Sequence, residues 1–169
     1  VVGDMGGPDY LEVMSAFDAA LERAPWADRE RLGIMGGSYG GFMTSWTIGH
    51  TTRFKAAISE RAVNDWYSMQ GASDIGGTFN RQYLGADATI QDNLEAVLRQ
   101  SPLTYAKNIE TPVLILHSEV DLRCPISQAE QLFVVLKQRR KDVEFVRFPD
   151  EDHELSRAGG DPCREVHDG

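Results

Sequence analysis

The residues of this chain whose types could do chemistry together are a serine, an aspartate and a histidine, met in that order. Ser38 lies in Gly36-Gly-Ser-Tyr-Gly-Gly41, within a Gly-x-Ser-x-Gly pattern. A serine hydroxyl is a poor nucleophile at neutral pH, so it needs a neighbouring imidazole to take its proton during attack. A carboxylate bound to that imidazole fixes its tautomer and stabilises the cation that forms. Because the pattern alone arises by chance in about one chain in ten of this length, the acid and the histidine must decide its meaning.

Ser38 lies between a predicted strand and a predicted helix. Apolar side chains in residues 32–35 predict a short buried strand, and apolar residues at helical spacing after Tyr39 predict a helix that stops near Gly49. Four glycines surround the serine: Gly36, Gly37, Gly40 and Gly41. They remove the Cβ clashes of a very tight turn, which would hold the hydroxyl out at the tip of a sheet. The alternative is that these glycines only allow close packing of a strand on a helix.

The acid and the base are expected in loops that follow two later strands. Residues 113–116 predict a strand, and the loop after them carries Glu119 and Asp121. Residues 143–148 predict another strand, and the loop after them carries His153. Chemistry in an open parallel sheet gathers at the carboxyl ends of its strands, so these loops should meet the serine there. Asp121 is favoured because it lies deeper in its loop, and Glu119 stays open at this point.

Other candidate sites are weaker. His50 and His117 precede Asp121 and are interpreted as packed or surface histidines, while His167 lies in a polar tail that starts at Gly159. Cys124 is interpreted as a small packed residue, because no base is positioned beside it in the sequence. His153-Glu154 does not continue to a second histidine as a zinc-protease helix would, and the glycine-rich turn lacks the lysine of a phosphate loop. We therefore expect no metal and no cofactor.

The surrounding elements alternate. Their predicted order is helix, strand, helix, strand, an irregular insert at residues 60–110, strand, helix and strand, which indicates a mostly parallel sheet with helices on its faces. Asp9 is predicted to cap the first helix, and a periodic apolar stripe follows it: Tyr10, Met14, Phe17 and Leu21. Within the insert three residues indicate a helical face: Leu94, Val97 and Leu98.

The bulk properties restrict the partners. At 169 residues the chain is one domain's worth, and its formal net charge of −9 argues against a nucleic-acid or anionic-membrane partner. No apolar run reaches the length of a membrane span, and no signal-peptide pattern opens the chain. Two cysteines form no disulfide framework. These features predict a cytoplasmic protein.

Taken together, the segments around the three residues resemble the peptidase domain of the prolyl oligopeptidase family, in its acylaminoacyl-peptidase and dipeptidyl-aminopeptidase-like branch. The resemblance is carried by residues 36–41, 117–125 and 148–155, with support from residues 101–105 and 126–132. It implies an α/β-hydrolase fold and hydrolysis of short or N-acylated peptides through an acyl-enzyme. In the family pattern the acid is the aspartate two residues before an arginine, which selects Asp121 before Arg123.

The resemblance also implies that residues 1–169 are part of a longer peptidase domain. About half of the sheet would precede the strand before Ser38, and a β-propeller of the same polypeptide would restrict substrate size. The Tyr39 N–H is expected to be one oxyanion donor, and residues 1–30 offer no convincing second donor. The strand before Ser38 would then expose an apolar edge, which makes self-association into a homo-oligomer conceivable.

Two aromatic residues of the insert, Trp66 and Phe79, are predicted walls of an apolar substrate pocket; the alternative for both is core packing. The leading functional hypothesis is a serine peptidase acting on a peptide substrate. A carboxylesterase is the alternative within the same chemistry, because ester and amide cleavage share this machinery. A non-catalytic binding module without a complete oxyanion hole is the alternative from another class.

Overall fold

A computed structural model describes residues 2–84 and 90–155 of the chain. The predicted polar tail from Gly159, with His167 and Cys163, lies outside the described residues. The elements, in chain order, are α1 Pro8–Arg23, β1 Gly33–Gly37, α2 Tyr39–His50, β2 Ala56–Glu60, α3 Trp66–Ala72, α4 Gly76–Tyr83, α5 Leu94–Arg99, α6 Pro102–Tyr105, a 3-10 turn Ala106–Asn108, β3 Val113–Ser118, α7 Ser127–Gln138 and β4 Val143–Phe148. Within this described part, no helix is both long and apolar enough to cross a bilayer.

The four described strands form one parallel sheet in the order β1-β2-β3-β4. Their register places Gly37 beside Glu60, and Ser118 beside Phe148. The loops that leave the strands therefore emerge at one edge of the sheet, where parallel strands present their carboxyl ends. The predicted parallel α/β arrangement, with four strands side by side, is confirmed.

Helix α2 is the most buried element, because every residue from Gly41 to Gly49 is buried. It contributes to both apolar clusters of the core. Phe42 and Trp46 belong to the cluster beneath the insert, together with Trp66 and Met69. Ile48 belongs to the cluster against the sheet and α7: Ala57, Val113, Ile115, Leu132 and Leu136. The sheet and the insert are thus both packed on the helix that follows Ser38.

Strand β1 departs from its predicted burial. Met35 is 71% exposed, whereas the sequence predicts a buried strand. The physical reason is position, because β1 is the last strand on its side of the described sheet and nothing described covers that flank. The predicted open edge before Ser38 is therefore present in the structure, as a strand with one free row of backbone groups.

One smaller prediction is wrong, and a second is met only in part. Asp9 is not the cap of the first helix, since α1 begins at Pro8 after Gly7 and Asp9 lies in its first turn. The predicted apolar face of the insert is also narrower than expected, because Val97 is buried but Leu94 and Leu98 are 44% and 41% exposed. In both places the packing of neighbouring segments, and not the local sequence pattern, decided where the residue lies.

The glycines around Ser38 are needed unequally. A Cβ on Gly36 would lie 2.6 Å from the Gly40 carbonyl carbon, and one on Gly41 would lie 2.8 Å from the Ala62 Cβ and nearer still to the Glu60 carbonyl. A Cβ on Gly40 would meet nothing within 4 Å. The prediction that all four glycines relieve clashes is therefore wrong for Gly40 and holds for Gly36 and Gly41.

This contrast generates a matched pair of variants. We expect Gly41→Ala to destabilise the complete polypeptide by about 1–3 kcal/mol, because the new methyl overpacks α2 against β2. Gly40→Ala, one residue away in the same helix, should leave stability unchanged or raise it slightly, since alanine favours helix over glycine. Thermal inactivation of both variants measures the difference. Equal stability of the two would contradict the packing described here.

Candidate active site

The turn that carries Ser38 is a sharp reversal between β1 and α2. Ser38 has φ 59° and ψ −117°, a backbone conformation that L-residues rarely adopt. Two backbone bonds stabilise it: the Ser38 N–H donates to the Glu60 carbonyl at 3.0 Å, and the Phe42 N–H donates to the Ser38 carbonyl at 2.9 Å. The missing side chain of Gly36 makes room for so tight a turn, because a Cβ there would lie 2.6 Å from the Gly40 carbonyl carbon. The strain holds the serine side chain out at the end of the sheet.

The imidazole of His153 lies between the serine and the acid. Its Nε2 is 3.0 Å from Ser38 Oγ, and its Nδ1 is 2.7 Å from Asp121 Oδ2. Two backbone hydrogen bonds join the loop of His153 to the loop after β3 that carries Asp121. The N–H groups of Glu119 and Val120 donate to the carbonyls of Phe148 and Glu151, each at 3.0 Å. Residues 115 positions apart in the chain are thus brought within hydrogen-bond reach.

Asp121 is a buried carboxylate with well-placed donors. Oδ1 accepts the backbone N–H groups of Arg123 at 2.9 Å and Cys124 at 2.8 Å, and Oδ2 faces His153. Burial alone would raise the pKa of Asp121. Donors from His117, His153 and the Cys124 N–H outweigh that effect and hold its pKa well below the usual range. The acid is therefore ionised at neutral pH and can stabilise a cation at His153.

Glu119, the other acid in this loop, lies away from the imidazole. Its carboxylate binds Arg147 at 2.8 Å, and the pair is about one-third exposed on both sides. Asp121, at 2% exposure, is the acid that the fold brings to His153. Of the two acids that the residues alone left open, Asp121 contacts the imidazole, and its role as the acid stays a prediction.

Tyr39 is the first residue of α2, so its N–H has no acceptor within the helix and lies at the positive end of the helix dipole. An N–H in this place suits a developing oxyanion. The Tyr39 hydroxyl donates to Asp9 in α1. Burial, followed by the Asp9 carboxylate, raises the pKa of Tyr39 well above its usual range. The sequence analysis missed this contact, because Asp9 was assigned to helix capping.

Trp66 and Phe79 stack on one another, with ring centroids 5.5 Å apart and planes at 12°. Trp66 is 1% exposed, and its Nε1–H donates to the Gln100 carbonyl at 2.9 Å. Phe79 is partly buried against the same cluster. In this arrangement both residues belong to the packing of the insert. Their part in a substrate pocket stays a prediction.

The remaining candidates separate clearly. His50 is exposed and stacks on Trp46, at a centroid distance of 4.3 Å, far along α2 from Ser38. Burial, then the Asp121 charge, raises the pKa of Cys124 to about 12, so the thiol stays protonated and packed. His117 is buried beside Asp121, which the sequence analysis did not anticipate. Among the described residues no group of three or more histidine, cysteine or acidic side chains could hold a metal.

Comparisons with known proteins identify the family of the chain. The model of the prolyl oligopeptidase family matches residues 1–168. A Bacillus subtilis protein described as an uncharacterized peptidase, YuxL, is 53% identical over 159 residues, which are 94% of this chain and 24% of that protein. The acylamino-acid-releasing enzyme of Arabidopsis thaliana is 32% identical over 161 residues, 92% of this chain and 21% of its own.

The solved structures give the same answer. The acylaminoacyl peptidase of Pyrococcus horikoshii superposes with a TM-score of 0.89 at 37% identity, over 94% of this chain and 26% of that one. The chain therefore belongs to the prolyl oligopeptidase family, and the predicted α/β-hydrolase fold is confirmed. It spans about a quarter of the length of these relatives.

The lowered pKa of Asp121 predicts how stability depends on pH. A carboxylate whose folded-state pKa is depressed stabilises the folded state above its unfolded pKa, near 4, and loses that contribution as pH falls through the folded value. We expect Asp121→Asn to lower the urea midpoint of the complete polypeptide at pH 7, and the difference from wild type to shrink below about pH 4. Glu119→Gln is the control, and its exposed ion pair should matter little. A gap that stays constant into acid would contradict the assignment.

Proposed function

We propose that the complete polypeptide is a serine peptidase that cleaves short or N-acylated peptides through an acyl-enzyme on Ser38. His153 is the general base and then the general acid, and Asp121 orients it. The observation that carries the proposal is the continuous set of contacts from Ser38 Oγ through both nitrogens of His153 to the buried carboxylate. Membership of the prolyl oligopeptidase family supports the same chemistry.

In the first step the Ser38 Oγ attacks the scissile carbonyl carbon while its proton passes to His153 Nε2. The resulting imidazolium lies against ionised Asp121, which stabilises it. His153 then gives the proton to the leaving amine as the carbon–nitrogen bond breaks, and an ester to Ser38 remains. Water attacks this ester with His153 again acting as the base, and the serine is restored.

The negative charge that develops on the substrate oxygen needs donors in place before the reaction. The Tyr39 N–H at the start of α2 is the donor that this chain supplies. Because the relatives are about four times as long, we propose that a segment outside these residues supplies the second donor. We further propose that a β-propeller of the same polypeptide restricts access to the site.

The names of similar proteins are the basis for the substrate class that we propose. Several relatives are named acylamino-acid-releasing enzymes, and one solved structure similar to this chain is an acylaminoacyl peptidase in complex with Z-Gly-Gly-Phe-chloromethyl ketone. We therefore propose that the substrate is a short peptide with a blocked amino terminus. An acylated amino-acid anilide and a short-chain ester, assayed side by side, separate a peptidase from an esterase.

The nucleophile assignment predicts covalent labelling. A fluorophosphonate probe should label the complete polypeptide at Ser38, and Ser38→Ala should abolish both the label and anilide turnover, since Ser38 carries the hydroxyl that contacts His153 Nε2 in the described part of the chain. Ser15→Ala, an exposed position in α1, serves as the control and should behave as wild type. Label that persists in Ser38→Ala would refute the nucleophile.

The base assignment predicts an acid limb. Anilide turnover should fall as the pH drops, because a protonated His153 ring cannot accept the serine proton. The rate of fluorophosphonate labelling should fall over the same interval, since it depends on the same proton transfer. Measuring kcat/KM and labelling rate together checks this, with His50→Gln as the control. A flat acid limb in both measurements would contradict a histidine base.

A further inference from the structure

A second buried imidazole lies behind the acid. His117 is the second-to-last residue of β3, just before the loop that carries Asp121, and its side chain has no solvent exposure. Its Nε2 is 2.6 Å from the Cys124 carbonyl oxygen and 3.3 Å from Asp121 Oδ2. Its Nδ1 is buried and has no hydrogen-bond partner among the described residues. A buried ring nitrogen without a hydrogen bond lowers the stability of the folded state. We therefore expect a compensating role in the contacts of the other ring nitrogen, Nε2.

The partners of His117 determine its tautomer. A backbone carbonyl only accepts hydrogen bonds, so Nε2 carries the proton that points at Cys124. A second proton on Nδ1 would have no acceptor. The Nε2–H donates to the carbonyl at 2.6 Å, and Asp121 Oδ2 lies 3.3 Å from the same nitrogen. That same Oδ2 accepts the Nδ1–H of His153, so two imidazoles meet at one carboxylate oxygen.

These contacts close a ring around the acid. His117 Nε2–H donates to the Cys124 carbonyl, and the Cys124 N–H donates to Asp121 Oδ1. Oδ2 of the same carboxylate lies between the two imidazoles. Each bond limits the rotation of the Asp121 side chain, which by itself could turn Oδ2 away from His153. We propose that His117 is a positioning residue: it fixes the carboxylate of Asp121 toward His153 and withdraws part of its negative charge. The inference rests on the proposed function of the three residues.

The charge effect has a definite sign. A donor at Oδ2 spreads the carboxylate charge, and without it Asp121 would stabilise a cationic His153 more strongly. The acid limb of kcat/KM should then move to higher pH when the donor is removed. The other charged or titratable groups on the segments around His117 lie at the end of β2, in the acid loop, on β4 and on α7: Glu60, Arg61, Glu119, Arg123, Cys124, Arg147 and Glu130. None of them bonds to Nδ1.

Three substitutions test the role in the complete polypeptide. His117→Gln places an amide N–H near the former Nε2 and keeps the donor, whereas His117→Asn is too short to reach and His117→Met has similar bulk without a donor. We expect kcat on an acylated amino-acid anilide to fall about tenfold or more in the Asn and Met variants, with KM little changed, because a misplaced acid misaligns His153. Their acid limbs should move to higher pH. His117→Gln should stay near wild type in kcat and in pH profile.

Controls separate this role from packing and from failure of the proposed function. His50→Gln and His50→Met repeat the substitutions at the exposed histidine and should change nothing. In an Asp121→Asn background, His117→Asn should add little, because the two act through one interaction. Equal losses in Gln, Asn and Met with an unmoved acid limb would show packing alone and overturn the proposal, as would wild-type behaviour of all three. Activity that survives Ser38→Ala would instead refute the proposed function itself.

Discussion

The arrangement depends on one buried negative charge. Asp121 is removed from water, and burial raises the free energy of an ionised carboxylate. Hydrogen-bond donors at both oxygens compensate for this cost: two backbone N–H groups bind Oδ1, and two imidazoles lie near Oδ2. Because removing any of these donors would leave a buried charge short of partners, the loop after β3 has little freedom to adopt another conformation. The position of the His153 ring depends on this one satisfied carboxylate, whereas Ser38 is held beside it by the turn into α2.

The sheet delivers the three side chains to one place. Parallel strands present their carboxyl ends at the same edge, so loops that are distant in sequence leave side by side. Helix α2 anchors the arrangement from below, because its buried face packs on the sheet and on the insert at once. The strained backbone of Ser38 is held at the start of that helix, so the energy that maintains the turn comes from packing several residues away.

The flank of β1 is open among the described residues, and the chain spans about a quarter of the length of its relatives. Met35 lies exposed beside a strand edge that no described residue covers, and the relative from Bacillus subtilis is about four times as long as the matched segment. Such an edge invites pairing by another strand. Ser38, Asp121 and His153 lie within these 169 residues, and the proposal assigns substrate access and the second oxyanion donor to segments outside them.

Local patterns in the sequence determined the strand, turn and helix around Ser38, the alternation that implies a parallel sheet, and the order of serine, acid and histidine, because each is written in residue type and short-range spacing. Only the tertiary structure decided that Glu119 binds Arg147 while Asp121 meets His153, that Asp9 receives the Tyr39 hydroxyl, and that His117 lies behind the acid. These outcomes depend on which side chains from separate elements compete for the same few donors and acceptors. Such competition is resolved in three dimensions, and no periodicity along the chain records it.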